Sequence, residues 1–301
     1  MEIQQSPLYA DFIKLLNWQI VSADGVNIFF KHFPFIGSMA KMHRPPKLPD
    51  IKRLVPILKE QKIRSISVEP DSNIEQKKFN PWIKKLAQHI TINKTHFLPT
   101  KTIHIDLTVS EGEIFARFSE AKRRAVRRAL KNNLQIYKST NINELIRIKN
   151  KSTGLFGFVT TTGVDKLWQI FAPKHAAILL AYSNVIASPG SAGRGNPHRI
   201  QRLLRRFAPR NDKVFGGVLL LFWNKTAYYW IAGSTKEGKK LFAPTLLVWE
   251  ALKLSKQRGC KQFDFVGVWD EREPSKFSDW KGFTKFKEGF GGNALSYPIL
   301  R

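Results

Sequence analysis

The sequence predicts an α/β (α+β) protein made of two successive halves, each with a central mixed sheet flanked by helices. Three observations lead there. Strand-like alternation and helical periodicity interleave along the whole chain. Its 301 residues exceed the usual size of one domain. A hydrophobic content of 43%, including 12% aromatic residues, is enough to fill two cores. The expected division is 1–145 and 146–301.

The first elements are a short helix from Leu8 to Leu16 and two strands within Gln19 to Phe33, joined at Asp24-Gly25, a hairpin signal. Prolines at 45, 46 and 49 force a loop. A helix from Ile51 to Gln61 and a strand from Ile63 to Val68 follow, ending at Glu69-Pro70. Thr102 to Leu107 reads as a strand, and Ser110 with Glu113 forms a capping box that opens a helix. The next helix, about Ser119 to Lys131, has two sides. Ala121, Ala125, Val126, Ala129 and Leu130 share one; Arg124, Arg127, Arg128 and Lys131 share the other. In the second half, Ala177 to Tyr182 is a strand, and Gly216 to Trp223 with Thr226 to Ile231 form a hairpin around Asn224-Lys225. Pro244 suits the first turn of a helix that runs to Gly259, and Phe263 to Val266 is the strand after it.

The stretch 186–213 breaks this rhythm. It holds six of eighteen arginines and one of thirty-two lysines, a composition shift that marks an inserted surface loop resembling translated repeat elements. Removing it would join Ser183-Asn184 to Val214 as strand–turn–strand, and surface turns are where insertions are tolerated.

The net charge of +27 predicts a polyanionic partner: nucleic acid, a phosphorylated metabolite or an anionic membrane face touched peripherally. Removing the insertion lowers it by 6 (seven basic residues, one acidic), leaving +21. Cys260 is the single cysteine, so an internal disulfide is excluded, a reducing compartment fits, and the thiol is expected to be packed. Seven scattered histidines give no ligand spacing, so no metal is expected. The N-terminus has no basic start followed by an apolar run, and no apolar stretch approaches spanning length; the expectation is a cytoplasmic protein.

Phosphate-cradling G-x-x-x-x-G-K-[ST] and G-x-G-x-x-G loops are absent, as is a G-x-S-x-G nucleophile elbow. The most distinctive motif runs from Phe283 to Gly292, placing Lys285 and Lys287 among aromatics and glycines. A lysine so placed can hold a phosphate or carboxylate, or stabilise the oxyanion formed when an amine attacks an ester. The alternative is a Gly-rich turn between two strands with solvated lysines.

The strand Thr102-Ile103-His104-Ile105-Asp106-Leu107, the capped helix and the basic run Arg123 to Lys131 resemble the middle of Fem-type peptidoglycan aminoacyltransferases. So do Ala227-Tyr228-Tyr229-Trp230-Ile231-Ala232-Gly233-Ser234, Trp249-Glu250-Ala251, Phe263-Asp264-Phe265-Val266-Gly267 and Phe286-Lys287, in that order. The resemblance implies two tandem acyl-CoA N-acyltransferase-like domains that move an amino acid from aminoacyl-tRNA to an amine of a peptidoglycan precursor stem peptide, with no cofactor. It implies Lys287, Phe286 and Glu69 as catalytic residues, Glu69 standing where an aspartate is commoner. Lys41, Arg44, Asp264 and Tyr229 are the expected substrate contacts, and Arg124, Arg127, Arg128 and Lys131 the tRNA contacts. Gly157 to Gly163 contains no arginine, although the resemblance implies one there against the acceptor's phosphates. An acyl-CoA or other thioester donor stays open, although Ser234 to Pro244 does not match the [QR]-x-x-G-x-[GA] pyrophosphate loop. A noncatalytic RNA-binding protein or a decayed relative is the third reading.

Overall fold

The computed structural model describes residues 1–35, 37–153, 160–183 and 213–300. The first part contains α1 (Pro7–Leu15), β1 (Gln19–Ala23), β2 (Val26–Phe33), β3 (Gly37–His43), α2 (Ile51–Glu60), β4 (Ile63–Glu69), α3 (Gln76–Ala87) and β5 (Thr91–Ile92). The chain continues through β6 (Lys101–Asp106), α4 (Glu111–Ala116), α5 (Glu120–Lys131), β7 (Leu134–Ser139) and α6 (Ile142–Thr153). After that come α7 (Val164–Phe171), β8 (Ala176–Ser183), β9 (Val214–Trp223), β10 (Thr226–Ser234), α8 (Lys236–Lys240) and α9 (Ala243–Gln257). β11 (Gln262–Asp264), α10 (Lys281–Glu288) and β12 (Asn293–Ser296) complete it.

Two mixed sheets result, with strand orders β1-β2-β3-β4-β5 and β12-β6-β11-β10-β9-β8-β7. Among the described residues, parallel pairs are confined to β3 with β4, β4 with β5, and β10 with β11. The expected α/β architecture of two helix-flanked mixed sheets is observed. β6 and β7, which a division at 145 counts with the first half, hydrogen-bond into the second sheet. β9 explains why that sheet has a core on each face: nine of its ten residues are buried, so it is apolar on both sides. Leu220 and Phe222 face one core with α9, while Leu219 and Leu221 face the other with α1, α6 and α7.

The termini tie the halves together. Ile3, Tyr9 and Phe12 pack into the second sheet's core, whereas Leu300 returns to the first sheet's core. Gln5 donates to the carbonyls of Asn27 (3.2 Å) and His43 (2.7 Å), and Gln76 exchanges two hydrogen bonds with Ile299.

Several local expectations hold for the reasons given. Both bonds of the Ser110–Glu113 capping box form. Asn224 and Lys225 both adopt positive φ (45° and 60°), closing the β9–β10 hairpin. Cys260 is buried, and burial pushes its thiol up to about 11. Two expectations need correction. Leu130 is 53% exposed, because α5 turns a narrower stripe (Ala125, Val126, Ala129) to the core. The motif around Lys287 is not a turn between strands: 281–288 is helical, and only Gly291 and Gly292 turn the chain into β12 with φ of 76° and 97°. The expected insertion, 186–213, lies outside the described residues apart from Lys213. The strands on either side of it pair antiparallel, Tyr182 opposite Val214.

Candidate active site

An open cavity of about 740 Å³ lies over β9 and β10, walled by α5, the end of α6, α9 and α10. The ladder between β9 and β10 is interrupted between Tyr229 and Ile231, and Trp230 at this bulge lines the cavity with Tyr229. Further along, Gly217 faces Gly233 across the strands. A Cβ on Gly233 would sit 2.8 Å from the Lys149 Cα, and one on Gly217 would sit 2.8 Å from a Leu145 methyl, so α6 can lie this close only over glycines. Gly233→Ala should therefore cost about 1–3 kcal/mol in denaturant unfolding. Gly282→Ala, where nothing lies within 4 Å, should be neutral or slightly stabilising in the same measurement.

Lys287 reaches this cavity from the last turn of α10. Its ammonium donates to the carbonyls of Phe265 (2.8 Å) and Gly267 (2.6 Å) and lies 4.8 Å from the Phe283 ring centre. An ammonium has three donors, so one remains for a ligand. Between those carbonyls Val266 takes a φ of 67°, an uncommon conformation for a β-branched residue; the Asp264 carboxylate holds it by accepting from its N–H at 2.6 Å. Burial pulls the Lys287 ammonium down to about 8, with Asp264 opposing and Lys149 reinforcing the fall. It is thus a cation at neutral pH that discharges just above it.

Phe286 lines the same cavity, and its ring carries Lys122 Nζ at 3.8 Å from the centre. Lys122 is a site residue the sequence did not reveal, because it falls between the apolar and basic sides of α5. Burial draws its ammonium down to about 8, and its stem packs where a Gly289 side chain would stand, 2.7 Å from Cε. Lys239 is a third cation on the wall, and no Asp or Glu is among the lining residues. The cavity therefore suits an anionic ligand with an apolar portion.

Glu69, Lys41 and Arg44 form a second cluster, where β3 and β4 end, and none of them lines that cavity. One Glu69 oxygen accepts from the N–H groups of Phe97 (2.9 Å) and Leu98 (2.8 Å), and the other faces His43 Nε2 at 3.3 Å. Burial raises the Glu69 carboxyl, against the opposing pull of the Leu98 N–H, Arg44, the Phe97 N–H and Lys41. Burial together with Lys41 and Arg44 drives His43 to about 3, so its imidazole is neutral. His43, like Lys122, was not singled out in the sequence. Lys41 is clasped between Trp18 (4.6 Å) and Phe97 (3.5 Å). Arg44 is only 4% exposed; it donates to the carbonyls of Pro70 (3.2 Å) and Pro99 (2.5 Å) and stacks on Tyr297 at 3.3 Å, a clamp across the seam between the sheets.

Asp264 is buried at the end of β11. Burial would raise its carboxyl, but His104 (3.4 Å), the Thr102 hydroxyl (2.5 Å) and the Val266 N–H outweigh this and hold it low. Its charge raises the pKa of both Lys287 and Glu2. Tyr229 lies in the cavity wall, where burial raises its hydroxyl pKa and keeps it neutral.

On α5, Arg127, Arg128 and Lys131 are exposed, and Arg124 pairs with Glu120 at 3.2 Å. Arg128 lies 5.8 Å from the ring centre of Phe242, which lines the cavity, so this basic face leads to the cavity rim. Among the described residues no His/Cys/Asp/Glu group could hold a metal ion, and no helix is long and apolar enough to cross a membrane.

The family model described as the FemAB family matches residues 197–298, about a third of the chain, a stretch that includes Tyr229, Asp264, Phe286 and Lys287. Over that third the chain is similar to the FemAB family. The expected Fem resemblance is thereby borne out, and with it the class of acyl-transfer enzyme. The fold of this Fem-like chain is that of "Crystal structure of FemX", at a TM-score of 0.69 and 16% identity over 98% of this chain and 90% of that one. Two further structures share it more distantly. The C-terminal domain of a putative lysylphosphatidylglycerol synthetase from Agrobacterium fabrum gives a TM-score of 0.54 at 10% identity, covering 98% of this chain and 86% of that one. L-PGS from Bacillus licheniformis gives 0.53 at 12%, covering 99% and 92%. Sequence comparison with curated proteins gives no match.

Proposed function

We propose that the protein transfers an amino acid from aminoacyl-tRNA to an amine of a peptidoglycan precursor stem peptide. The observation that carries this reading is Lys287: a lysine fixed by two backbone carbonyls, with one donor left over, in an aromatic-walled cavity free of carboxylates. An aminoacyl ester is already activated, so catalysis needs a positioned amine and a donor aimed at the oxyanion. The neutral amine attacks the ester carbonyl, and Lys287 stabilises the charge that develops on its oxygen. The carbon–oxygen bond to the ribose then breaks, and the departing oxygen takes up the proton the amine releases. Lys122 and Lys239 meet the phosphates at the tRNA 3′ end, Arg127, Arg128 and Lys131 meet the acceptor arm, and Tyr229 packs against the aminoacyl group. Glu69 acts as a positioning residue: it anchors the 97–98 backbone, whose Phe97 ring clasps Lys41, and Lys41 meets the acceptor.

The test supplies purified protein with charged tRNA and a soluble, nucleotide-linked precursor and measures product mass. Product formation should vanish on RNase treatment; transfer from a CoA thioester that resists RNase would replace this reading with the thioester one. A lipid amine or hydroxyl acceptor is the competing outcome, tested by supplying phosphatidylglycerol in place of the precursor; the two lysylphosphatidylglycerol synthetase folds motivate that arm. Replacing Arg127 and Arg128 together with Gln should weaken tRNA binding and lower the slope of log K against log salt by about 2, read by filter binding across a salt series.

A further inference from the structure

We propose that the end of the first sheet bearing the β2–β3 turn docks on an anionic lipid bilayer. Where a solvent-facing turn ordinarily holds polar residues, this one holds Pro34 and Phe35 directly after Phe33. Phe35 is fully exposed, at 106% relative accessibility, and its φ is 66°, a conformation a bulky residue adopts at a cost. Presenting a phenyl ring to solvent this way makes physical sense if the ring has an apolar destination.

The patch is wider than one ring. Trp18 meets Phe33 edge-on at 6.3 Å between centres, and Leu15 at the end of α1 is 36% exposed. Strand register brings them together, since Gln19 pairs with Phe30 and Ser38 with Ile63, so the end of α1, the turn and the start of β4 share one end of the sheet.

Cations surround it. Lys31 Nζ lies 5.9 Å from the Phe33 ring centre, and Lys166 donates to the Leu15 carbonyl at 2.9 Å. The Arg64 stem crosses Gly37 at the base of the turn, where a Cβ would sit 2.5 Å from it. Among the described residues none of these three cations is ion-paired with a carboxylate. Aromatic rings at headgroup depth, an aliphatic neighbour and cations at the phosphates form the pattern of an interfacial contact with acidic lipid. RNA would match the cations and rings but offers nothing to Leu15, so the bilayer is the favoured occupant. The surface lies apart from the cavity and stands independently of the reaction proposed above.

The experiment floats the full chain with phosphatidylcholine vesicles made with or without phosphatidylglycerol. Binding is expected only with phosphatidylglycerol, and it should weaken as salt rises. Phe35→Ser, which removes a ring outside the cores, should cut vesicle partitioning about tenfold with the melting temperature unchanged. Arg64→Gln should cut it about fivefold. No flotation with acidic vesicles, or flotation indifferent to Phe35→Ser, overturns the proposal. So does a Phe35→Ser variant that loses tRNA binding or self-association while floating normally.

Discussion

Lys287→Met should lower kcat for aminoacyl transfer by about 10²- to 10³-fold, with the donor KM within about threefold of wild type. The reason lies in how the ammonium is held. Two of its donors are fixed on the Phe265 and Gly267 carbonyls, so the third has a set direction and needs no reorganisation as charge develops. Lys287→Arg keeps the charge but replaces a compact point with a planar fork that cannot reproduce both carbonyl bonds and the third contact. It should recover only part of the lost rate. The pH profile separates the two variants. Wild-type kcat should fall as pH rises through about 8, where Lys287 loses its proton. The arginine variant should lack that limb, because its guanidinium stays charged. The same depressed value has a stability consequence. An unfolded lysine stays protonated to about 10.5, so the folded state carries a penalty of roughly 3 kcal/mol below pH 8 that disappears as pH rises from 8 to 10.5. Denaturant unfolding across that range should show the rise in wild type and a smaller one in Lys287→Met. Full activity in Lys287→Met, or an unchanged alkaline limb in the arginine variant, would remove Lys287 from the chemistry.

Glu69→Ala should destabilise the protein by about 3 kcal/mol, the largest stability effect expected of a single substitution here. It leaves the Phe97 and Leu98 N–H groups without their acceptor in a buried setting. Glu69→Gln retains an oxygen for both N–H groups and should stay within about 1 kcal/mol of wild type. Because the folded carboxyl titrates above its unfolded value, its contribution favours the folded state at acid pH and is lost as pH rises through the folded value; glutamine removes that dependence. The functional readout decides the role of Glu69. As a positioning residue it predicts that Glu69→Gln keeps kcat within about tenfold, with the effect mainly in the acceptor KM. A fall in kcat as deep as that of Lys287→Met would make Glu69 a proton acceptor instead.

Much of the first sheet could be read along the chain. Asp24-Gly25 placed the β1–β2 hairpin, and the boundaries of α1, α2 and β4 followed the residue pattern within a residue or two. β3 and α3 escaped that reading. β3 pairs Gly37–His43 with a long-range parallel partner, and its sequence, with two Met and a Lys among small residues, shows little alternation by type. α3 contains Pro81 in its interior, which reads as a break, yet its buried Phe79, Ile83 and Leu86 face the first core. At the site, sequence order singled out Phe286 and Lys287. It could not show that Lys122 stands over Phe286, because α5 and α10 meet only through packing. Nor did it show His43 facing Glu69, a contact made by neighbouring parallel strands.

The amino-acid sequence by itself determined the two-sheet α/β class, the strongly basic charge, the capped basic helix and the lysine motif. Each of these depends on residues close together in the chain or on composition, where periodicity, capping and charge act directly. Only the tertiary structure decided that β6 and β7 join the second sheet and that Lys287, Lys122 and Tyr229 share one cavity. It also decided that Arg44 is a buried clamp and that Glu69 sits in a separate cluster anchoring a loop. These placements depend on contacts between residues as far apart in the chain as Arg44 and Tyr297. Their energies come from packing and desolvation, which a local pattern of residue types does not encode.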